Sequence, residues 1–120
     1  MTKSQNSPKP YDLEDRTFEF AKNCRIFVKK IHKNTANFED SKQLIRSSGS
    51  VAANYIEANE ALSKKDFSHR IKICKKEAKE SRLWLKLIEV SDDLDEERQD
   101  LFNESTELMK IFGSILEKSK

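Results

Sequence analysis

The chain has 120 residues, of which 23 are basic and 21 acidic, so its net charge is +2 and 37% of it is charged. That length supports one domain with a single hydrophobic core and needs no disulfide or metal staple. Charge this nearly balanced gives no argument for a nucleic-acid partner on its own, so only its distribution along the chain can carry one. With 2 Gly and 2 Pro, both prolines at the N-terminus (Pro8, Pro10), there is little turn chemistry from which to build a sheet, and the expected class is all-α.

Residues 1–10 are polar, hold Lys3 and Lys9 with no acid, and contain both prolines, so they are expected to form a disordered arm ahead of a bundle over 11–120. No apolar run approaches the roughly 20 residues that span a bilayer, and the N-terminus lacks the apolar stretch of a signal peptide. A soluble, cytoplasmic protein with no membrane partner is expected. Cys24 and Cys74, each alone on an apolar stripe, then read as buried free thiols.

Asp12 is placed to cap a first helix, in which Leu13, Thr17, Phe20, Cys24, Phe27 and Ile31 recur at steps of four and three to about His32. Phe18 and Ile26 fall off that stripe. Asn34 to Asn37 reads as a turn, with Asp40 or Ser41 as N-cap of the second helix. There the heptad line runs Ile45, Ser48, Ala52, Tyr55, Asn59, Leu62, flanked by Leu44, Val51 and Ala58. Ser47, Ser48, Gly49, Ser50, Ala52 and Ala53 give this helix so little bulk that another backbone is expected close against it. Gly49 alone costs about 1 kcal/mol relative to Ala in a helix interior.

Ser50, Asn54 and Glu57 share one face of the second helix as a structural polar set. Asn54 and Glu57 are expected to face the third helix, with Glu57 paired to Lys76 or Arg70, because a carboxylate between packed helices is costly unless paired. Ser63, with Asp66 three residues on, reads as the cap of that third helix, whose seam is Phe67, Ile71, Cys74, Ala78, Ser81, Leu85 and Ile88. Asp95, within the run Asp92, Asp93, Asp95, Glu96, Glu97, is the expected cap of a fourth helix with Leu101, Ser105, Leu108, Phe112 and Ile115 inside. Four helices with short connections make an up-down-up-down antiparallel four-helix bundle.

Such a bundle raises the question of a di-iron carboxylate centre, but Asp66-x-x-His69 is the nearest approach to the required Glu-x-x-His, and no nucleophile–base pair or phosphate loop can be assembled. No catalytic residues, metal or cofactors are expected. The third helix is more informative because its residues separate into three faces. Beside the seam, Ile73, Glu77, Glu80, Trp84 and Leu87 form a mixed face, where Trp84 reads either as part of a wide core or as a contact with another subunit. On the other side lie Lys65, Lys72, Lys75, Lys76, Lys79, Arg82 and Lys86 with Leu83, either a solvated exterior or a nucleic-acid-binding face. Off-seam Phe18, Ile26, Ile73, Trp84 and Leu87 are the candidate oligomer interface, since large apolar patches are unusual on monomers.

The stretches Arg46 to Phe67 (RSSGSVAANYIEANEALSKKDF) and Lys75 to Leu87 (KKEAKESRLWLKL) resemble the 23S rRNA intervening-sequence protein family of bacterial four-helix-bundle proteins. Asp12 to Asn23 (DLEDRTFEFAKN) and Phe38 to Ser48 (FEDSKQLIRSS) are similar to the same family, and Asn54, Glu57, Asp66 and Phe67 match its pattern. The resemblance implies a bundle that assembles into a homopentameric ring with no established enzymatic activity. Relatives encoded in rRNA-gene insertions, and others that serve as accessory proteins to the reverse transcriptases of diversity-generating retroelements, imply RNA or an RNA-handling protein as partner. The competing expectation is a structural scaffold or protein-interaction ring without a nucleic-acid ligand.

Overall fold

The computed structural model describes residues 12–120; the arm expected over 1–10 lies outside them. Four helices follow in order: α1 (Leu13–Val28), α2 (Thr35–Asn59), α3 (Lys64–Leu87) and α4 (Asp92–Lys118). Each packs on the next, and α1 meets α4 to close an up-down-up-down bundle, with no strand among the described residues. The molecule is flattened, with extents of 44 × 35 × 20 Å.

The seams of α1, α3 and α4 lie inside as their periodicity requires, with Phe20, Cys24, Phe27, Ile71, Cys74, Ala78, Leu85, Leu108 and Phe112 essentially inaccessible. In α2 the buried line is Leu44, Ser47, Ser48, Val51 and Ala58, one residue away from the expected one; Asn59 is exposed and Leu62 lies beyond the helix, fully in solvent. The helix is rotated toward α3 because small side chains there admit a close approach. The Oγ atoms of Ser47 and Ser81 are 2.7 Å apart, and Cys74 Sγ donates to the Val51 carbonyl at 3.6 Å. Gly49 answers to a different neighbour: a Cβ there would stand 3.2 Å from Nη2 of Arg25, whose guanidinium lies over the glycine from α1.

Three helix ends differ from the sequence reading. α1 stops at Val28, and Ile31 is buried from the turn that follows. α2 begins at Thr35 rather than near Ser41 because Asn34 is its N-cap, accepting from the Asn37 N–H at 2.8 Å. Ser91, not Asp95, precedes α4, so Asp92, Asp93 and Asp95 all fall in its first turn, where the helix dipole favours negative charge. Ser63 caps α3 as expected, accepting from the Asp66 N–H at 3.0 Å.

Moving the start of α2 forward puts Asn37 inside the helix, where it fastens one end of the bundle. Its Nδ2 donates to the carbonyls of His32 (3.0 Å) and Glu89 (2.8 Å), and its Oδ1 accepts from the Glu89 N–H (3.0 Å). The α1–α2 and α3–α4 connections are thereby joined through one fully buried amide. Asn37→Ala would strand two carbonyls and an N–H and should cost about 3 kcal/mol. Chemical denaturation checks this, and a loss no larger than that of an exposed substitution would contradict it.

Burial raises the Cys24 thiol from 9.0 to about 12, offset only in part by a hydrogen bond with Ser48 and by the Arg25 charge. Cys74 is likewise raised by burial from 9.0 to about 12. Because the unfolded chain gives up these protons first, the contribution of both thiols is intact below pH 9 and is lost as pH rises toward 12. In urea melts the Cys24→Ala/Cys74→Ala protein should therefore show a shallower fall of stability between pH 9 and 11 than the parent; parallel curves would refute this.

Candidate functional site

The α3 backbone is held from two sides, by α2 through Ser47, Val51 and the core, and by Arg98 of α4, whose Nη1 donates to the Leu85 carbonyl at 3.4 Å. With Ile71, Cys74, Ala78, Ser81, Leu85 and Ile88 turned inward, the residues about 100° away on the α4 side must face out. Lys65, Lys72, Lys75, Lys76, Lys79 and Lys86 are exposed, and Arg82 is half-buried. Among the described residues, none of the seven forms an ion pair. The structure thus brings the whole expected basic set onto one continuous face.

Several carboxylates that could have neutralised this face are engaged elsewhere. Arg16 of α1 forks onto Glu104 of α4 through Nε (2.8 Å) and Nη2 (2.9 Å), and Lys30 reaches Glu97 at 3.0 Å. Asp95 pairs with Arg98, and Glu107 with Lys110 one turn on. Across the α2–α3 junction, Arg46 hydrogen-bonds Glu80 at 2.9 Å and also lies 3.4 Å from Glu77 Oε1, close enough for attraction but not aligned as a hydrogen bond. Glu97 and Glu104 of α4 therefore serve α1, and Glu77 and Glu80 of α3 serve α2.

Where the basic face meets α4, two side chains change the picture. Lys75 lays its stem along Gly113, with Cε and Nζ 3.8 Å from where a Cβ would stand. Arg82 stacks on Phe102 of α4, its guanidinium carbon 4.7 Å from the ring centroid. Phe102 was not legible as part of the site, since nothing within α4 indicates that its ring meets a cation from α3. With Lys79, Leu83 and Lys86 the stack lines an open groove of about 220 Å³.

The polar set of α2 is only partly as expected. Asn54 faces α3, accepting from Arg70 Nη1 at 3.0 Å and donating to Ser50 Oγ (3.0 Å) and the Ser50 carbonyl (2.9 Å). The partner expected for Glu57 is thus taken by Asn54, one turn earlier. Glu57 is exposed and has neither an ion pair nor a side-chain hydrogen bond among the described residues, with Lys76 or Arg70 or any other partner. Left hydrated, its carboxylate avoids the desolvation that would have demanded a partner.

Of the apolar residues off the seams, Phe18, Ile26 and Leu87 are exposed and Ile73 is half-buried. Trp84 packs against the core edge, its Nε1 buried without an acceptor. Phe38 and Ile56 of α2 are exposed as well; a helix start at Asp40 or Ser41 leaves Phe38 outside α2, and a seam one residue off gives no signal at Ile56. The contact of Arg25 with Gly49 and that of Asn59 with Glu14 set α1 against α2 so that Phe18 and Ile56 come at a similar height. Between α1 and α4 lies a cleft of about 480 Å³ edged by Asp12, Asp15, Glu19 and Asp100, with the Arg16–Glu104 pair in its wall. There the charge of Asp12 foremost, with a little burial, raises the Asp15 carboxyl above its ordinary value.

No group of three or more His, Cys, Asp or Glu that could hold a metal comes together among the described residues, and no described helix is long and apolar enough to cross a membrane.

The sequence matches the family described as 23S rRNA-intervening sequence protein over residues 11–114. Among solved structures, a protein of unknown function from the S23 ribosomal protein family of Bacteroides thetaiotaomicron is 32% identical, with a TM-score of 0.78 over 90% of this chain and 97% of that one. No curated protein matches. With the bundle and its seams in place, the match over nearly all of the described chain shows that this protein belongs to the 23S rRNA-intervening sequence protein family.

Proposed function

We propose that this is a non-enzymatic, oligomeric module that holds RNA by its phosphate backbone through the α3 face. The observation that carries this reading is the combination of seven basic side chains on one face with no ion pair among them, in a molecule of net charge only +2. Lys65, Lys72, Lys79 and Lys86 recur every seven residues, a repeat of about 10 Å along the helix, so phosphates spaced along a strand can be met without reading bases. A homo-oligomer, expected as a pentamer, would repeat the face around a ring and multiply weak contacts. An RNA-handling protein such as a reverse transcriptase is a natural client of such a ring.

A second reading is favoured by a specific feature, the carboxylate-edged cleft between α1 and α4. In a heterologous ring each cleft could receive the neighbour's lysine face, while Phe18, Phe38 and Ile56 supply apolar contact. The basic face would then be consumed in assembly, leaving a scaffold with no nucleic-acid ligand.

Filter binding of single-stranded RNA across a salt series separates the two. Lys72→Gln with Lys79→Gln should weaken all sequences alike and reduce the logarithmic salt slope by about 0.7 for each phosphate no longer engaged. Unchanged affinity and slope, with a lower oligomer mass by light scattering, would support the scaffold instead.

A further inference from the structure

The chain has six arginines, all within the described residues, and five of them have acceptors. Arg16 holds Glu104, Arg25 the Ala21 carbonyl, Arg46 Glu80, Arg70 Asn54, and Arg98 Asp95. Arg82 makes no hydrogen bond and no ion pair among the described residues, yet it is half-buried and its Nε is sealed from solvent without an acceptor. A guanidinium offers five donors and cannot shed its charge, so an arginine held in this way is poised for an acceptor that the chain does not provide.

We propose that Arg82, stacked on Phe102 and flanked by Lys79 and Lys86, is a phosphate-binding subsite within the basic face. It rests on the RNA-binding reading above and gives it a centre. The ring 4.7 Å from the guanidinium carbon fixes the plane of the group by a cation–π contact. Nε is turned in, but the two Nη atoms are neither bonded nor sealed off, which leaves the forked end open to the groove. Lys79 and Lys86 stand three residues before and four after Arg82 on the same side, so one tetrahedral anion can meet a fork and two ammonium groups. On α4, Asp95, Gln99, Thr106 and Gly113 share the side of Phe102, and the acid among them, Asp95, is paired with Arg98. A carboxylate would satisfy the fork alone; a phosphodiester is also singly charged, but it comes in a strand whose neighbouring phosphates bring further charge to the two ammonium groups.

The subsite differs from a diffuse lysine face in what a single substitution does. Binding of a fluorescein-labelled 20-nucleotide oligouridylate would be followed by anisotropy for the parent, Arg82→Gln, Arg82→Lys, Phe102→Leu and Lys72→Gln, the last a lysine of the same face outside the groove. Arg82→Gln should weaken binding about tenfold or more. Lys72→Gln should cost only about two- to threefold, as a screened exposed contact does. Arg82→Lys should fail to restore affinity, and Phe102→Leu should fall between. Thermal melts should show Arg82→Gln at least as stable as the parent, because an unpaired charge leaves a partly buried position.

Equal losses for Arg82→Gln and Lys72→Gln would overturn the subsite and leave the basic-face reading standing. If the parent binds no RNA, that reading fails, and the subsite is judged on inorganic pyrophosphate alone. In that arm a shift of the Arg82 Nε–H resonance on titration, absent in Phe102→Leu, supports it, and no shift overturns it. Competition by a polyglutamate peptide equal to that by pyrophosphate would overturn the assignment to phosphate in favour of an acidic protein segment.

Discussion

The rotation of α3 about its own axis is the constraint on which the rest depends. It is set where α2 and α3 approach most closely, at the Ser47–Ser81 hydroxyl pair and at the Val51 carbonyl that receives the Cys74 thiol. Bulkier residues at 47 or 81 would push the helices apart, and a seam that no longer met the core would let α3 turn. With the seam from Ile71 to Ile88 buried, the side chains to its α4 side have nowhere to go but outward. Packing between small residues thus decides where the lysines stand, though no lysine takes part in it.

Charge is then distributed by neighbour. Acids of α4 reach back to Arg16 and Lys30 of α1, and acids of α3 reach across to Arg46 of α2. Most of these are partly exposed pairs that contribute little stability individually. Their consequence lies in what they leave uncovered: a basic face on one side of the molecule and a carboxylate-edged cleft between α1 and α4. Both faces carry unneutralised charge, so RNA binding and ring assembly compete for the same complementarity. The Arg82–Phe102 stack distinguishes the basic face from a merely solvated helix exterior, because a half-buried arginine without an acceptor has a cost that a hydrated lysine does not.

Much of this was legible from sequence alone. The seams of α1, α3 and α4 could be followed because bulky apolar residues recur there without competition, and the Ser63 cap could be seen because donor and acceptor are three residues apart. Periodicity puts the seam of α2 one residue off, since Ser47, Ser48, Ala52 and Ala53 are small on both sides and it cannot choose between them. Asn37 was hidden because its partner Glu89 is 52 residues away. Spacing turns Asn54 toward α3 but cannot say that it, rather than Glu57 one turn on, meets Arg70; only the register of α2 on α3 supplies that. The basic face was visible as a stripe; that it lacked neutralising partners, and that Phe102 rose beneath one end of it, depended on how α4 packs.

The central claim is that the α3 lysines form one exposed, unneutralised surface that a phosphate backbone occupies. Acetylation rates of individual lysines, followed by mass spectrometry on the intact protein with and without single-stranded RNA, test it most directly. The account predicts that Lys65, Lys72, Lys76, Lys79 and Lys86 react readily in the free protein and are protected together by RNA, while Lys22, Lys29 and Lys42 on the α1–α2 side are unaffected. Slow reaction of the α3 lysines before RNA is added, or protection spread evenly over both sides, would contradict it.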